Sequence, residues 1–170
     1  VTHAHAFGGP ELAVVTLNKN LDLDIKNYVT INFNTGGEII DEVGGIVQEI
    51  DASGSKVIHG YIDEVNKIRG TSSSHIDSAG TYTLDGTQAV AYSRIRYTAG
   101  GDYKRAERQR TVLFKVFESA KQMNTAAKIK MVSDLIGHVN TNYNTDEILS
   151  VFKNLADYTV EDSTAYPQVF

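Results

Sequence analysis

The sequence predicts a single domain of the α/β class, in which helices flank a central β-sheet in layers and the C-terminal half is rich in helix. Two observations lead to this prediction. Short β-rich segments alternate with amphipathic helical segments in the first half of the 170 residues, and helical periodicity dominates after that. The length and the 41% of hydrophobic residues suit one globular domain, and no repeat or linker marks a second one.

Pro10 opens the first predicted helix, since proline is favoured in a first helical turn and the neighbouring Glu11 suits the positive end of the helix dipole. We expect this helix to end near Asn20. The next elements follow from alternating apolar residues, apolar residues three apart and glycine pairs. In order, they are a strand over 28–33, a short helix over 38–43 ended by Gly44-Gly45, a strand over 46–50, a helix with Ile62, Val65 and Ile68 on one face, a loop over 70–74 and a strand over 81–84.

Helices dominate the second half of the chain. Caps and apolar periodicity predict four helices. The first is short and is capped by Asp85 or Thr87, and the second is long, follows a loop over 97–101 and takes Asp102 as its N-cap. The third carries an apolar stripe from Ile129 to Val139, and the fourth begins with the capping box of Asn144 and Glu147. The tail over 160–170 is polar and broken by proline.

The composition excludes several classes of protein. Because the chain has no cysteine, zinc fingers, iron–sulfur clusters and a thiolate nucleophile are ruled out, and the redox compartment stays undetermined. No apolar run approaches the ~20 residues that cross a bilayer, and no secretory signal leads the sequence. Since it begins at Val1, without methionine, we expect a piece of a longer protein that holds any membrane anchor.

Charge is distributed unevenly along the chain. The whole carries a net charge of −5, yet residues 94–110 hold six basic and two acidic side chains, including five of the six arginines. The planar fork of donors on arginine suits phosphate or carboxylate groups. One focus of arginine on an acidic protein therefore indicates an anionic ligand. It disfavours nucleic acid, which is usually bound by a broad basic face.

These arginines surround the start of the predicted long helix. Arg105 and Arg108 lie one helical turn apart after Gly100-Gly101, and cations at this end oppose the helix dipole unless an anion is bound. Arg94 and Arg96, two residues apart, would point the same way if their segment is extended, and would form a second wall. The alternative stays open that all of them pair with the surplus carboxylates on a solvated face.

Asp102 has two interpretations. By spacing it is an N-cap that accepts hydrogen bonds from free amides at the helix start. Beside several arginines, its carboxylate could instead accept a proton from an attacking hydroxyl or hold a divalent metal. The pair His3 and His5 is a weak metal candidate without a third ligand, and the paired glycines match no Walker or Rossmann pattern.

Two adjacent segments carry a resemblance to a known family. Residues 84–96, LDGTQAVAYSRIR, are followed by residues 102–109, DYKRAERQ. They are similar to the stretches LdGxqALaYxRxR and DfxRxxRQ of the LytR-CpsA-Psr family of cell-envelope proteins. Further similar segments at 3–11, 28–33 and 37–45 occur in family order, so the resemblance covers roughly residues 1–122.

The resemblance implies a phosphotransferase on the outer face of the membrane of Gram-positive bacteria. Such an enzyme moves an anionic glycopolymer from an undecaprenyl pyrophosphate carrier onto a sugar hydroxyl of peptidoglycan, assisted by Mg²⁺. Asp102 would act as base or metal ligand, and Arg105 joins it as a catalytic residue. By motif position, the residues that would bind the pyrophosphate are Arg94, Arg96, Arg105 and Arg108.

The resemblance also implies parts that this sequence lacks. Family members begin with a membrane helix and a further stretch of catalytic domain, so we expect a domain truncated at its N-terminal side and anchored through the absent helix. The polyprenyl tail needs an apolar slot, lined by the helix with Val14 and Leu17 or by the late helices. The rival interpretation is a regulatory or merely anion-binding module, because the family carries a transcription attenuator label. The focused arginines argue against DNA binding.

Overall fold

Helices form most of the structure, a computed structural model that describes residues 1–98 and 100–160. The predicted tail beyond residue 160 lies outside the described residues. The elements are α1 (Thr2–Leu21), β1 (Val29–Thr30), α2 (Phe33–Glu42), β2 (Ile46–Ile50), α3 (Ala52–Arg69), β3 (Gly80–Leu84), α4 (Gly86–Arg94), α5 (Gly101–Gln122), α6 (Thr125–Leu135), β4 (Asn140–Thr141) and α7 (Thr145–Lys153). Single 3₁₀ turns cover Ile136–His138 and Leu155–Asp157.

The strands pair in two small antiparallel ladders. β2 pairs with β3, so that Ile46 lies opposite Leu84 and Ile50 opposite Gly80, while β1 pairs with β4. Along β2 the residues alternate between buried and exposed, with Ile46, Gln48 and Ile50 facing the interior. This alternation is the period-2 pattern of a strand with one covered face.

One apolar core joins the β2–β3 ladder to α2, α3, α4 and α5. Its members are Ile40, Ile46, Ile50, Ile58, Ile62, Val65, Ile76, Leu84, Ala89, Val90, Ala91, Ile95 and Val112. α4 lies at the centre of the molecule, because it contacts α2, α3 and α5 and every residue from Gly86 to Ala91 is buried. The predicted layered α/β class with a helix-rich C-terminal half is confirmed. Among the described helices, none combines the length and apolar character needed to cross a bilayer.

A buried arginine fixes α4 against α2 and α3. The Arg69 side chain is 5% exposed; its Nη2 donates to Asp41 Oδ2 at 2.8 Å and its Nη1 to Thr87 Oγ1 at 2.9 Å. Asp41 also accepts from the Gly86 backbone N–H at 2.6 Å through its other oxygen. The start of α4 is therefore held by charge-assisted hydrogen bonds to two neighbouring helices.

Several predicted elements are confirmed. The strand over 46–50 has its predicted bounds. Of the apolar stripe predicted on the third helix, Ile62 and Val65 are buried in α3, whereas Ile68 is exposed. Asp85, not Thr87, caps α4 and forms a capping box with Gln88, and the capping box at the start of α7 is present as predicted.

Several local predictions are wrong in their bounds. The short helix expected over 38–43 begins five residues earlier, at Phe33, and the helix whose apolar stripe was expected to reach Val139 ends at Leu135 and is followed by a 3₁₀ turn. The strand expected over 28–33 is only Val29–Thr30, because the Asn32 side chain accepts from the Thr35 backbone N–H and caps α2 at that point. The first helix begins well before Pro10 and continues through a kink, where Gly9 adopts a φ of +66° that glycine tolerates. Pro10 thus opens the second half of α1 instead of the whole helix.

Candidate anion site at the start of α5

A single carboxylate holds two arginines together at the start of α5. Asp102 lies in the first turn, where its Oδ2 accepts from Arg96 Nη2 at 2.8 Å and its Oδ1 lies 3.0 Å from Arg105 Nη2. All three side chains are more than one-third exposed. Arg96 comes from the segment after α4 and Arg105 from α5, so guanidinium groups from two neighbouring segments meet here.

The role predicted for Asp102 as N-cap is wrong. Gly100 is the residue before the helix, with a φ of +94°, and the Asp102 side chain makes no capping hydrogen bond. A glycine can turn the chain into the helix through this left-handed conformation, so the helix begins before the aspartate. The carboxylate lies instead in the first turn, where a negative charge still suits the helix dipole.

Arg108 lies one turn further along α5 and is buried. With 8% of its surface exposed, it donates from Nη1 to the Ile95 carbonyl at 3.1 Å and from Nη2 to Thr98 Oγ1 at 3.0 Å. Its Cζ lies 5.8 Å from the centre of the Tyr92 ring. Arg108 therefore supports the segment that carries Arg96, because it binds a backbone carbonyl directly beside it.

Arg94 lies apart from this group. It is the last residue of α4 and not part of an extended segment, so the prediction that Arg94 and Arg96 share one direction through strand geometry is wrong. Its Nη2 donates to Glu64 Oε1 at 2.7 Å, and its Cζ lies 4.5 Å above the Phe33 ring. Arg94 Nη1 is buried and has no hydrogen-bond partner in the part of the chain that the structure describes. A buried donor without a partner is costly, which makes this nitrogen a candidate ligand-binding atom.

An apolar pocket of about 240 Å³ opens between the β1–α2 segment and the late helices. It is lined by Val29, Ile31, Ile39, Met131, Val132, Leu135, Ile136, Val139, Tyr143, Ile148, Val151 and Phe152. Of the two predicted linings, the late helices contribute and the helix with Val14 and Leu17 does not. Ile31 lines the pocket, and Phe33, two residues further on, carries the Arg94 guanidinium on its ring. The ring that carries the Arg94 guanidinium therefore lies two residues along the chain from a side chain that lines the pocket.

Metal ligands are not grouped in the described residues. Within 1–98 and 100–160, no three His, Asp or Glu side chains lie together in a way that could hold a metal ion. Asp102 has both oxygens engaged by guanidinium groups. In this arrangement the described residues alone do not fit a Mg²⁺ site, because a cation bound to Asp102 would have to displace one of the two guanidinium groups.

Two polar features were not predicted from the sequence. Arg69 lies outside the arginine-rich residues 94–110. Its partners Asp41 and Thr87 are distant from it in sequence, so no local pattern predicts these contacts. A second pocket of about 290 Å³ is lined by Gln48, Glu49, Asp51, Gly54, Tyr92 and Arg108. One signal could have found it: Gln48 is polar at an inward position of a strand whose other inward residues are isoleucines.

The molecule is thus a layered α/β domain with exposed arginines at a helix start and an apolar pocket between the β1–α2 segment and the late helices. The model of the LytR_cpsA_psr family matches residues 1–165, and the chain belongs to this family. The resemblance carried by residues 84–96 and 102–109 is confirmed.

Known relatives agree with this assignment. The chain is 34% identical over 160 residues to the polyisoprenyl-teichoic acid–peptidoglycan teichoic acid transferase TagU of Enterococcus faecalis, covering 93% of this chain and 46% of that protein. Among solved structures, it is similar to TagT bound to LIIa-WTA, with a TM-score of 0.67, 28% identity and coverage of 91% and 55%. It is also similar to a transcriptional regulator from Enterococcus faecalis, with a TM-score of 0.69, 29% identity and coverage of 91% and 52%. The chain spans about half the length of the relatives it matches.

Proposed function

We propose that the protein to which this chain belongs transfers an anionic glycopolymer from an undecaprenyl pyrophosphate carrier to a sugar hydroxyl of peptidoglycan. The observation that carries the proposal is the combination of exposed arginines at the start of α5 with an apolar pocket in the same domain, since a polyprenyl pyrophosphate joins a doubly charged head to an apolar tail. Membership of a family with named teichoic acid transferases supports it. Further support comes from the similarity of the fold to TagT bound to LIIa-WTA, because TagT is likewise named a teichoic acid transferase.

The arginines bind the pyrophosphate head in this proposal. Arg94 offers its unpartnered Nη1, while Arg96 and Arg105 exchange their shared carboxylate for phosphate oxygens. Arg108 supports the Arg96 segment from beneath and adds positive charge. The apolar pocket takes the nearer part of the polyprenyl tail. Phosphoryl transfer depends mainly on positioning and on stabilising negative oxygens, which guanidinium groups supply.

Release of Asp102 links substrate binding to the reaction. When phosphate oxygens replace it as the partner of Arg96 and Arg105, its carboxylate becomes available to the acceptor hydroxyl. The hydroxyl oxygen then attacks the phosphorus that bears the glycan, the bond to the bridging oxygen breaks, and polyprenyl phosphate leaves. The hydroxyl proton passes to Asp102. Arg105 stabilises the charge on the oxygens of the transferred phosphoryl group.

The described residues alone do not fit a Mg²⁺ site, so Mg²⁺ enters the proposal only with bound substrate: Asp102, once released from a guanidinium, would be its candidate ligand. Magnesium is commonly held by one or two carboxylates together with substrate phosphates, and it would neutralise charge on the pyrophosphate. None of the steps above depends on the metal.

We place the reaction on the outer face of the cell membrane, with an anchor upstream of this chain and with no nucleic acid as partner.

A binding experiment tests the site. Farnesyl pyrophosphate is titrated into the chain by calorimetry, alongside inorganic phosphate and duplex DNA. We expect Arg94→Ala and Arg105→Ala to weaken farnesyl pyrophosphate binding about 10-fold to 150-fold each, the equivalent of a charged hydrogen bond. The matched control is Arg110→Ala, an arginine of the same helix that makes no contact in the site, and it should bind like the wild type.

The tail is tested separately. Val151 lines the apolar pocket and is 40% exposed, so Val151→Asp should fold and should weaken farnesyl pyrophosphate without changing the affinity for inorganic pyrophosphate. Full affinity in Arg105→Ala would refute the site. Equal weak binding of farnesyl pyrophosphate, phosphate and DNA would favour a generic anion patch and the regulatory alternative.

Transfer itself is measured on the longer protein with lipid-linked glycan, acceptor and Mg²⁺. An unchanged rate in Asp102→Ala would remove this residue from the mechanism. A rate that is unaffected by chelating the divalent cation would remove Mg²⁺.

A further inference from the structure

The polar pocket shares one residue with the arginine site and otherwise has its own walls. Gln48 and Glu49 come from β2, Asp51 and Gly54 from the start of α3, Tyr92 from α4 and Arg108 from α5. Its volume of about 290 Å³ is just below the ~300–1,000 Å³ that ligand pockets occupy, which suits a ligand of about one ring.

Gln48 is the unusual residue of this pocket. It is 8% exposed and occupies an inward position of β2 between Ile46 and Ile50. Its Nε2 donates to the Glu49 carbonyl at 2.7 Å and to the Tyr92 hydroxyl at 3.1 Å. Exchanging the amide nitrogen and oxygen would set two oxygens against each other at the Glu49 carbonyl, so the orientation is determined. Gln48 Oε1 is then buried with no donor among the residues that the structure describes.

An orphaned acceptor of this kind requires an explanation. Folding alone would favour leucine or valine at this inward position, because a buried polar atom without a partner costs stability. A polar residue that breaks the local pattern without a folding benefit is typical of a functional site.

The other walls offer both acceptors and donors. Asp51 adds carboxylate oxygens and Glu49 its backbone carbonyl. The Ser53 hydroxyl and the Gly54 backbone N–H lower the pKa of Asp51 below its ordinary value of 3.8, which keeps it ionised. Burial raises the pKa of Tyr92 above its ordinary value of 10.0, so its hydroxyl stays protonated at neutral pH and can donate. Arg108 contributes the remaining N–H donors.

We propose that this pocket binds one neutral sugar ring through its hydroxyl groups. A hydroxyl both donates and accepts, so it can donate to Gln48 Oε1 and to Asp51 while another hydroxyl accepts from Arg108. A phosphate has only acceptors and would meet the Gln48 oxygen and the Asp51 carboxylate. An ammonium group or a metal ion would meet the buried Arg108 guanidinium. Mixed donors and acceptors are therefore matched by a polyol and by neither ion.

The inference deepens the proposed function and rests on it. Because Arg108 belongs to both sites, the sugar would lie next to the bound pyrophosphate, as a sugar unit of the donor glycan or of the acceptor would. Sugar binding by the pocket can nevertheless be measured without any pyrophosphate.

The test follows the backbone amides of Gly54 and Tyr92 by NMR while N-acetylglucosamine is added to the chain. We expect a saturable shift of both signals, and no saturable shift of either with inorganic phosphate or methylammonium. Gln48→Leu should weaken the sugar at least about fivefold, since it removes an acceptor in a buried site. It should also raise the urea midpoint of unfolding, because the orphaned oxygen is gone. The matched control is Gln122→Leu, at the exposed end of α5, which should leave the sugar shifts unchanged.

Asp51→Asn is the second variant, and it should weaken the sugar as well. Unchanged sugar binding in both variants, no saturable shift with the sugar, or saturation by phosphate or methylammonium instead would each overturn the proposal. Arg105→Ala separates the two hypotheses, because it should lose pyrophosphate and keep the sugar shifts. If the wild type binds the sugar but not farnesyl pyrophosphate, the proposed function fails and the sugar pocket stands.

Discussion

Gly86→Ala tests the packing that holds α4 in place. A Cβ added at Gly86 would lie 2.1 Å from the Gly37 carbonyl oxygen and 2.8 Å from Arg69 Nη1. Ordinary contact begins at 3.4 Å, so α2 and α4 would have to separate by more than 1 Å. The obstacle is backbone, which cannot move aside as the end of a side chain can.

The cost follows from what the separation would break. Gly86 donates its backbone N–H to Asp41 at 2.6 Å, and Thr87 beside it accepts from Arg69. Overpacking costs about 1–3 kcal/mol and a buried hydrogen bond left unmade about 1–3 kcal/mol, with partial relaxation reducing the sum. We expect Gly86→Ala to lower the free energy of unfolding by ~2–4 kcal/mol.

Urea unfolding followed by circular dichroism measures this loss. The matched control is Gly60→Ala in α3, where an added Cβ meets nothing within 4 Å. Alanine is favoured over glycine in a helix interior by up to ~1 kcal/mol, so the control should be as stable as the wild type or more stable. A change within ~0.5 kcal/mol for Gly86→Ala would refute the close packing of α2 on α4.

Three further outcomes are expected. Asp51→Ala removes the cap of α3 and should cost ~1 kcal/mol at neutral pH. Hydrogen bonds from the Ser53 hydroxyl and the Gly54 N–H lower the pKa of Asp51 in the folded state. The stability difference between Asp51→Ala and the wild type is therefore fully present above pH 3.8 and disappears as the pH falls through the folded pKa of Asp51. Urea unfolding of both proteins across pH 2–7 measures this difference. Asn144→Ala removes the capping box of α7 and should also cost ~1 kcal/mol, measured in the same way, and no loss would contradict the cap. Arg69→Met should lower the unfolding free energy by ~1.5–3 kcal/mol, and an unchanged urea midpoint would show that the α2–α3–α4 junction does not depend on this arginine.

Local signals explain which parts of the fold could be predicted. The strand over 46–50 and the capping boxes at Asp85 and Asn144 depend on residues within a few positions of each other, and the sequence displays them directly. The strand predicted over 28–33 is too long because its alternating pattern competes with the helix cap at Asn32. Two valid local signals overlap there, and packing of α2 decides between them.

The members of the candidate site were proposed from the sequence, whereas their geometry comes from the structure. The arginine window and the family motifs named Arg94, Arg96, Arg105 and Arg108 without any structure. Their partners are set by tertiary packing: Arg94 stays on the helix and turns to Glu64, while Asp102 bridges Arg96 and Arg105. The polar pocket is formed by residues from four separate elements. Its only sequence signal is the polar residue Gln48 at an inward position of β2.

A crystal structure of the chain with farnesyl pyrophosphate bound would test the proposed substrate site most directly. We expect phosphate oxygens within hydrogen-bond distance of Arg105 and of Arg94 Nη1, Asp102 released from at least one guanidinium, and the prenyl chain in the pocket between the β1–α2 segment and the late helices. Phosphates bound elsewhere, or a prenyl chain outside that pocket with Asp102 still bridging both arginines, would show that the site is wrongly assigned.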